Sequence, residues 1–330
     1  MSSSAILRAV AGDGERPSTR IRQAGDHQLL VEYGEMTLDL TLNLRVHAFL
    51  HDLRVRPIHG LTQAAPGYRS LMVEFSPDRV ERERLLDELV ERQRTLPELA
   101  SLVLQSRVVE LPIAFDDEST REAVQQYRIT TRPDAPNVVD GDNVDYVVRY
   151  NGFLSREEFY AEFLATMWWN AFIGYFPGLP SLFALDPRTQ LSAPKYNPAR
   201  MWTPEGAVGI GGPCVVLYPI ESPGGYQLFG RTVPIGSSFI GLSTTEEGSE
   251  RSDPLRTNLF RPGDRVRFTR VDERELLAAR QQVFEGTYRY QIEDGEFVVA
   301  DYLSEVERLA GLSADIAQFR SAAAARVEVP

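Results

Sequence analysis

Residues 195–232, KYNPARMWTPEGAVGIGGPCVVLYPIESPGGYQLFGRT, decide the fold of this chain. A glycine-spaced strand carries Gly209, Gly211 and Gly212, and Ser222-Pro223-Gly224-Gly225 marks a tight turn. The same texture of frequent Gly and Pro with short β-rich runs extends outward over residues 172–299, where 273–282 is the one convincing long helix. Such a pattern predicts a closed antiparallel β-barrel with long functional loops. Helical segments precede it at 118–127 and 155–169, the latter opened by a capping-box pattern of Ser155 and Glu158. The polar stretch 133–145 reads as a loop. Residues 300–320 read as a helix with a frayed, Ala-rich end.

The N-terminal part reads differently. Residues 27–33 (HQLLVEY) form a strand, and Leu40, Leu44, His47, Ala48 and Leu53 recur at helical spacing. Strands at 58–61 and 68–75 flank a Pro66-Gly67 turn, and 78–96 is an amphipathic helix with Asp78 as its expected N-cap. A strand at 107–115 completes the order β-α-β-β-α-β, the split βαβ of a ferredoxin-like domain. The expected class is therefore α+β, a ferredoxin-like domain followed by a β-barrel. The expected boundaries are a disordered lead over 1–20, the α+β domain over 21–107, the barrel with a helical insertion over 108–300, and a C-terminal helix and tail over 301–330.

Composition narrows the function. The 330 residues are 43% apolar, enough for two cores, and the net charge of −12 argues against a nucleic-acid binder. Cys214 is the only cysteine, which excludes an internal disulfide and disfavours a Cys-based zinc site. No apolar run approaches the roughly 20 residues that span a bilayer, and residues 1–20 lack signal-peptide character, so a cytoplasmic location without a membrane partner is expected. No metal site is expected either: His47 and His51 are four apart but have no matching carboxylate pattern. All four histidines (His27, His47, His51, His59) lie in the first domain, so a Ser-His-Asp hydrolase centre is possible only across domains.

Two segments stand apart from ordinary core. Lys195, Tyr196, Asn197 and Arg200 put two cations, a phenol and an amide within six residues. Lys195 is also the only lysine of the chain, in a sequence whose other basic residues besides histidine are arginine. Gly211 and Gly212 beside them permit close backbone approach to a ligand, or simply mark a bulged strand. In the second segment, Ser222, Gly224 and Gly225 form either an anion-binding nest or a plain hairpin turn. Glu221 is either a general base or a solvated shoulder of that turn, and Arg231 either a carboxylate fork or a surface cation. A phosphate loop is absent.

In combination these words carry a family resemblance. KYNPARMWTPEGAVGIGG at 195–212 and SPGGYQLFGRT at 222–232 resemble the carboxyltransferase domain of urea carboxylase. So do AGD at 24–26, VEYG at 31–34, LDLTLNLRVH at 38–47, LPIAFDD at 111–117 and FEGTYR at 284–289, so that the similarity runs over about residues 20–320. The wider family includes subunit 1 of so-called allophanate hydrolase, a bacterial 5-oxoprolinase component and the kinase inhibitor KipI. The resemblance implies an α+β domain followed by a cyclophilin-like barrel. One stretch departs: FPGLPSL at 176–182 is more similar to the KipI and oxoprolinase branch, which puts urea as the substrate in doubt.

By resemblance, the chain is expected to be one carboxyltransferase subunit of a biotin-dependent enzyme, moving a carboxyl group from carboxybiotin to the nitrogen of a small urea-like acceptor. No Met is followed by Lys, so biotin is not attached here, and no ATP-binding glycine loop is present. The biotin carrier, the ATP-using biotin carboxylase and a homologous second carboxyltransferase subunit are expected on partner chains. The resemblance places Lys195, Tyr196, Asn197 and Arg200 at the carboxylate or ureido group. Glu205 or Glu221 would assist proton removal, and Gly211, Gly212, Ser222, Gly224, Gly225, Tyr226, Gln227 and Arg231 would shape the pocket. Two other roles compete: a component of an ATP-dependent amide or lactam hydrolase of the 5-oxoprolinase or allophanate hydrolase type, and a non-catalytic, KipI-like binding protein.

Overall fold

A computed structural model describes residues 5–14, 16–138, 143–236 and 258–330. It divides into two compact units. Unit 1 is Met1–Ser106 with Glu296–Glu305, and unit 2 is Arg107–Gly295 with Val306–Pro330.

Unit 1 is built on an antiparallel sheet of β1 (Ile6–Val10), β2 (Thr19–Gln23), β3 (Gln28–Tyr33), β5 (Ser70–Phe75) and β4 (Leu61–Pro66), in that spatial order. Alternation aims Leu29, Val31 and Tyr33 of β3, and Leu71, Val73 and Phe75 of β5, into one core. Helix α1 (Leu40–Val55) packs on β3, β4 and β5, and α2 (Arg82–Thr95) packs on β1. Asp39 caps α1 by accepting from the Thr41 amide, whereas α2 begins after Glu81 rather than at Asp78. A small ladder of β6 (Val103–Gln105) with β15 (Glu296–Val298) completes the unit.

The ferredoxin-like arrangement is not what forms. The strand expected to close it, at 107–115, is β7 (Val108–Phe115) and belongs to unit 2; β2 occupies the place beside β3. Nor are residues 1–20 a disordered lead. Residues 1–4 lie outside the described residues, but Ile6–Val10 is a paired strand and Thr19 begins the next. Strand β2 reads as solvated because it carries two arginines. Arg20 and Arg22 in fact point away from the core, toward Glu35 and Glu32, while Thr19 and Ile21 are buried.

Unit 2 contains a closed barrel. Its strands run β12 (Gln227–Arg231), β10 (Ala207–Gly211), β11 (Cys214–Leu217), β9 (Pro180–Ala184), β8 (Trp168–Ile173), β13 (Arg265–Arg270) and β7, and β7 returns to pair with β12. These seven strands fit the expected cyclophilin-like barrel, with one parallel pair, β7–β13, in an otherwise antiparallel ring. Strand β14 (Gln291–Glu293) extends β7 on the outside of that ring. Arg107 grips Asp264 through Nε at 2.9 Å and Nη2 at 2.6 Å, a bidentate pair that ties the start of β7 to the turn before β13.

Helices α3 (Glu118–Thr130), α4 (Asn143–Asn151), α5 (Arg156–Ala165) and α6 (Glu273–Phe284) surround the barrel, and α7 (Val299–Ala324) runs past the expected frayed end. Ser155 caps α5 by accepting from the Glu158 amide, but the Glu158 carboxylate reaches back to the Leu154 N–H. The helix stops at Ala165. Trp168 and Trp169, expected in it, open β8 because both rings are buried in the sheet. Residues 139–142 of the expected loop lie outside the described residues, and Asn143 already begins α4. Asp272 and Glu275 form a complete capping box on α6. Asp272→Ala is therefore expected to cost about 1 kcal/mol in a denaturant titration.

Candidate functional site

Strand β10 pairs with β11 and β12 in a fixed register, Ala207 opposite Arg231 and Ile210 opposite Gln227. The candidate residues therefore sort to two ends of one strand pair, separated by four residues of strand or about 13 Å.

At the Gly211 end lies Lys195. Its loop is stitched to the Ser222–Tyr226 turn by backbone: the Tyr196 N–H donates to Gly225 O at 2.7 Å, and Arg200 and Gly224 exchange both bonds at 3.0 Å. The Ala193–Gly212 bridge holds the other side. Gly211 is required here, because a β-carbon would sit 2.8 Å from the Tyr226 ring and 3.0 Å from Lys195 Cγ. Lys195 is exposed, stands 4.8 Å from the centroid of the Tyr226 ring, and forms no ion pair among the described residues. Gly212, in the left-handed region at φ 56°, borders open space. Gly211→Ala is expected to displace Lys195 and Tyr226 while leaving the barrel folded, since both neighbours are side chains; comparing ligand affinity with melting temperature tests this.

The other residues at this end are braces. Tyr196 is buried, its hydroxyl donates to Asn143 Oδ1, and burial pushes its pKa up to about 12, so it stays protonated. Arg200 is only 1% exposed; it stacks 4.5 Å from the Tyr196 centroid and donates to Tyr226 O at 2.6 Å and Thr203 Oγ1 at 3.2 Å. The expectation that Arg200 lies open to a ligand is corrected accordingly. Gln227, fully buried, joins Pro194 O to Asn137. Asn197 is exposed and its carbonyl accepts from Arg132. The turn is no open anion nest, because the Ser222 and Gly224 amides are taken by the Thr203 and Arg200 carbonyls.

Residues missed in the sequence complete this end. Cys214 is buried, which pushes its thiol up to about 11. Tyr218 packs against Gly224, where a β-carbon would collide with its hydroxyl and ring. Asn143 accepts from both Tyr196 and the Leu228 amide. The 176–182 departure falls on the β8–β9 connection and the start of β9. There Tyr175 is almost wholly exposed at φ 67°.

At the Ala207 end are Glu205, Glu221 and Arg231, which the sequence reading joined to Lys195 and the structure does not. They line a cleft of about 490 Å³ with Pro219, Ile220, Arg280 and Phe284. Glu205 Oε2 is paired with the buried Arg280, whose Nη1 also donates to Thr232 O at 2.7 Å. Among the described residues, Glu205 Oε1 is buried without a hydrogen-bond partner. Burial raises the Glu205 pKa, with the Arg280 charge opposing. Arg231 donates from Nε to Glu205 O at 2.8 Å and from Nη1 to Ser119 Oγ at 2.6 Å.

Among the described residues, no helix is long and apolar enough to cross a membrane. Comparison with known proteins places these features in a family. Residues 19–237 match the model of the carboxyltransferase domain, subdomain C and D. The chain is 34% identical over 288 residues to urea amidolyase of Saccharomyces cerevisiae, covering 87% of this chain and 15% of that protein. It is 25% identical to a 5-oxoprolinase subunit of Bacillus subtilis, covering 80% of this chain and 97% of that one. Among solved structures, Kluyveromyces lactis urea carboxylase superposes with a TM-score of 0.81 at 27% identity, over 98% of this chain and 29% of that one. The chain thus spans a small part of the urea-processing relatives, and it belongs to the carboxyltransferase domain family, subdomain C and D.

Proposed function

We propose that this chain is one carboxyltransferase subunit of a urea-carboxylase-like enzyme, active with a homologous second subunit, a biotin carrier and an ATP-using biotin carboxylase. The observation that carries the reading is Lys195: an exposed ammonium over an aromatic face, with no ion pair among the described residues, on a loop stitched by backbone hydrogen bonds to a glycine turn. This donor set fits a carboxylated ureido ring, since an unpaired cation beside open space at Gly212 meets developing negative charge without first breaking an ion pair. Carboxybiotin, when bound, supplies the carboxyl group.

Lys195 binds and stabilises the oxygen that gains charge, and the Tyr226 ring holds the ammonium in place. Arg200, Tyr196 and Gln227 position that pair from beneath. Glu205 and Glu221 line a cleft that does not include Lys195, so proton removal from the acceptor nitrogen is assigned to the paired subunit. A small urea-like compound is the acceptor class.

The test combines the chain with the partner components, ATP and bicarbonate, and follows ADP release with urea, guanidine-type compounds and 5-oxoproline offered in turn. Biotin-dependent stimulation by a urea-like acceptor is the expected result. A second reading, an ATP-dependent lactam hydrolase, is favoured by the match to 97% of the Bacillus 5-oxoprolinase component. Stimulation by 5-oxoproline without biotin would select it. Stimulation by none of these compounds, together with no association with the carrier, would sink both enzymatic readings.

A further inference from the structure

The structure assigns a positioning role to Arg132 and Asn143, which follow α3 and begin α4: they fix the chain around Lys195 and so seat its ammonium over the Tyr226 ring. The role rests on the proposed function, in which Lys195 meets developing charge. Strand β10 and the glycine turn reach the Lys195 loop through backbone alone, by the Ala193–Gly212 bridge, the Tyr196 N–H to Gly225 O and the Arg200–Gly224 pair. A second set of holds comes from side chains. Arg132 Nη1 donates to Asn197 O at 2.8 Å, two residues after Lys195. Asn143 Oδ1 accepts from the Tyr196 hydroxyl, one residue after Lys195, and from the Leu228 amide at 3.0 Å. Pro194 O, one residue before Lys195, accepts from Gln227 Nε2 at 2.7 Å. Gln227 Oε1 in turn accepts from Asn137 Nδ2 at 3.0 Å, and Asn143 Nδ2 donates to Asn137 O at 3.3 Å. Asn143 therefore stands on both routes to Lys195.

The same part of the chain supplies the floor. Val124, Tyr127, Ala135, Val138 and Tyr196 form a hydrophobic cluster of their own, and Tyr127 meets Tyr196 edge-on at 4.6 Å. Turns closed by the Ala135 N–H to Arg132 O at 3.4 Å and the Val138 N–H to Ala135 O at 2.9 Å brace that segment. Asn137, Asn143 and Gln227 are buried, so water does not compete for their bonds. A cation stabilises developing charge best when it need not move as the charge appears. Misplacement by about 1 Å can cost about 10²-fold in rate. Release of either hold frees the loop, and the ammonium with it, to leave the Tyr226 face.

Lys195 is the only lysine of the chain, so protein labelled with carbon-13 at the lysine ε-carbon gives a single side-chain NMR signal. In the wild type that signal is expected upfield of free lysine, shifted by the ring whose centroid lies 4.8 Å from the ammonium. The same chain in denaturant marks complete loss of the shift. Arg132→Ala and Asn143→Ala are each expected to move the signal toward that mark and, with the partner components, to lower carboxyl transfer by about tenfold. Asp272→Ala, which weakens the α6 cap and touches none of these residues, should leave the signal in place. A signal unmoved in both variants, or moved as far by Asp272→Ala, overturns the assignment; unmoved in one, it removes that residue from the role. Arg132 is only partly buried, so its variant keeps the test open even where Asn143→Ala fails to fold. The spectrum needs no partner chain. A signal that responds as expected in a protein without transfer activity rejects the carboxyltransferase reading alone, and lowered transfer with an unmoved signal rejects the positioning role alone.

Discussion

Lys195→Ala, assayed with the partner components, is expected to lose carboxyl transfer by about 10²–10³-fold, the scale set by removing one preorganised donor from developing negative charge. The same substitution should leave stability within about 0.5 kcal/mol, because an exposed side chain without an ion pair contributes little to folding. Lys195→Arg sharpens the test. It keeps the charge, but a planar fork replaces a compact ammonium seated against the Tyr226 ring beside Gly211. If the ammonium acts as a point charge, arginine restores only a small part of the rate; if any cation suffices, it restores most. Transfer at the wild-type level in Lys195→Ala, with the protein folded, removes Lys195 from the chemistry.

That Lys195 is worth testing was legible in the sequence, since a lone lysine inside a dense motif is visible without coordinates. The barrel was legible too, because short β-rich runs between Gly and Pro leave few alternatives. What escaped was set by register and by distant partners. Glu205 lies ten residues from Lys195 in sequence, yet the pairing of Ala207 with Arg231 carries it to the far end of the strands. The neighbour that fixes it, Arg280, comes from a helix with no local signal toward it. Asn143, which holds Tyr196, begins a helix inside a stretch whose Pro and Asp content reads as loop. In unit 1, the outward arginines of β2 hid a strand that only its buried Thr19 and Ile21 reveal. Once β2 takes the place beside β3, the strand at 108–115 is released to the barrel.

The closure of that barrel supplies the largest expected effect on stability. Strand β12 meets β7 through Gly230 opposite Phe115 and Arg231 opposite Ala114. A β-carbon at Gly230 would lie 2.6 Å from Ala114 O and 3.2 Å from Phe115 Cα. The nearest obstacle is a backbone carbonyl, so no rotamer change relieves it. Strand β7 cannot retreat easily either, because its other edge is bonded in parallel to β13 over Val108–Ile113. Gly230→Ala is therefore expected to destabilise unit 2 by about 3 kcal/mol, the upper range for forced overpacking. Gly212→Ala is the control: its β-carbon meets nothing, and only the left-handed backbone at φ 56° opposes it, at about 1 kcal/mol. Fluorescence reads the right unit, since Trp168, Trp169 and Trp202 all belong to unit 2. A Gly230→Ala midpoint no lower than that of Gly212→Ala would mean that β12 and β7 are free to separate at Gly230, and that barrel integrity rests on the remaining six pairings.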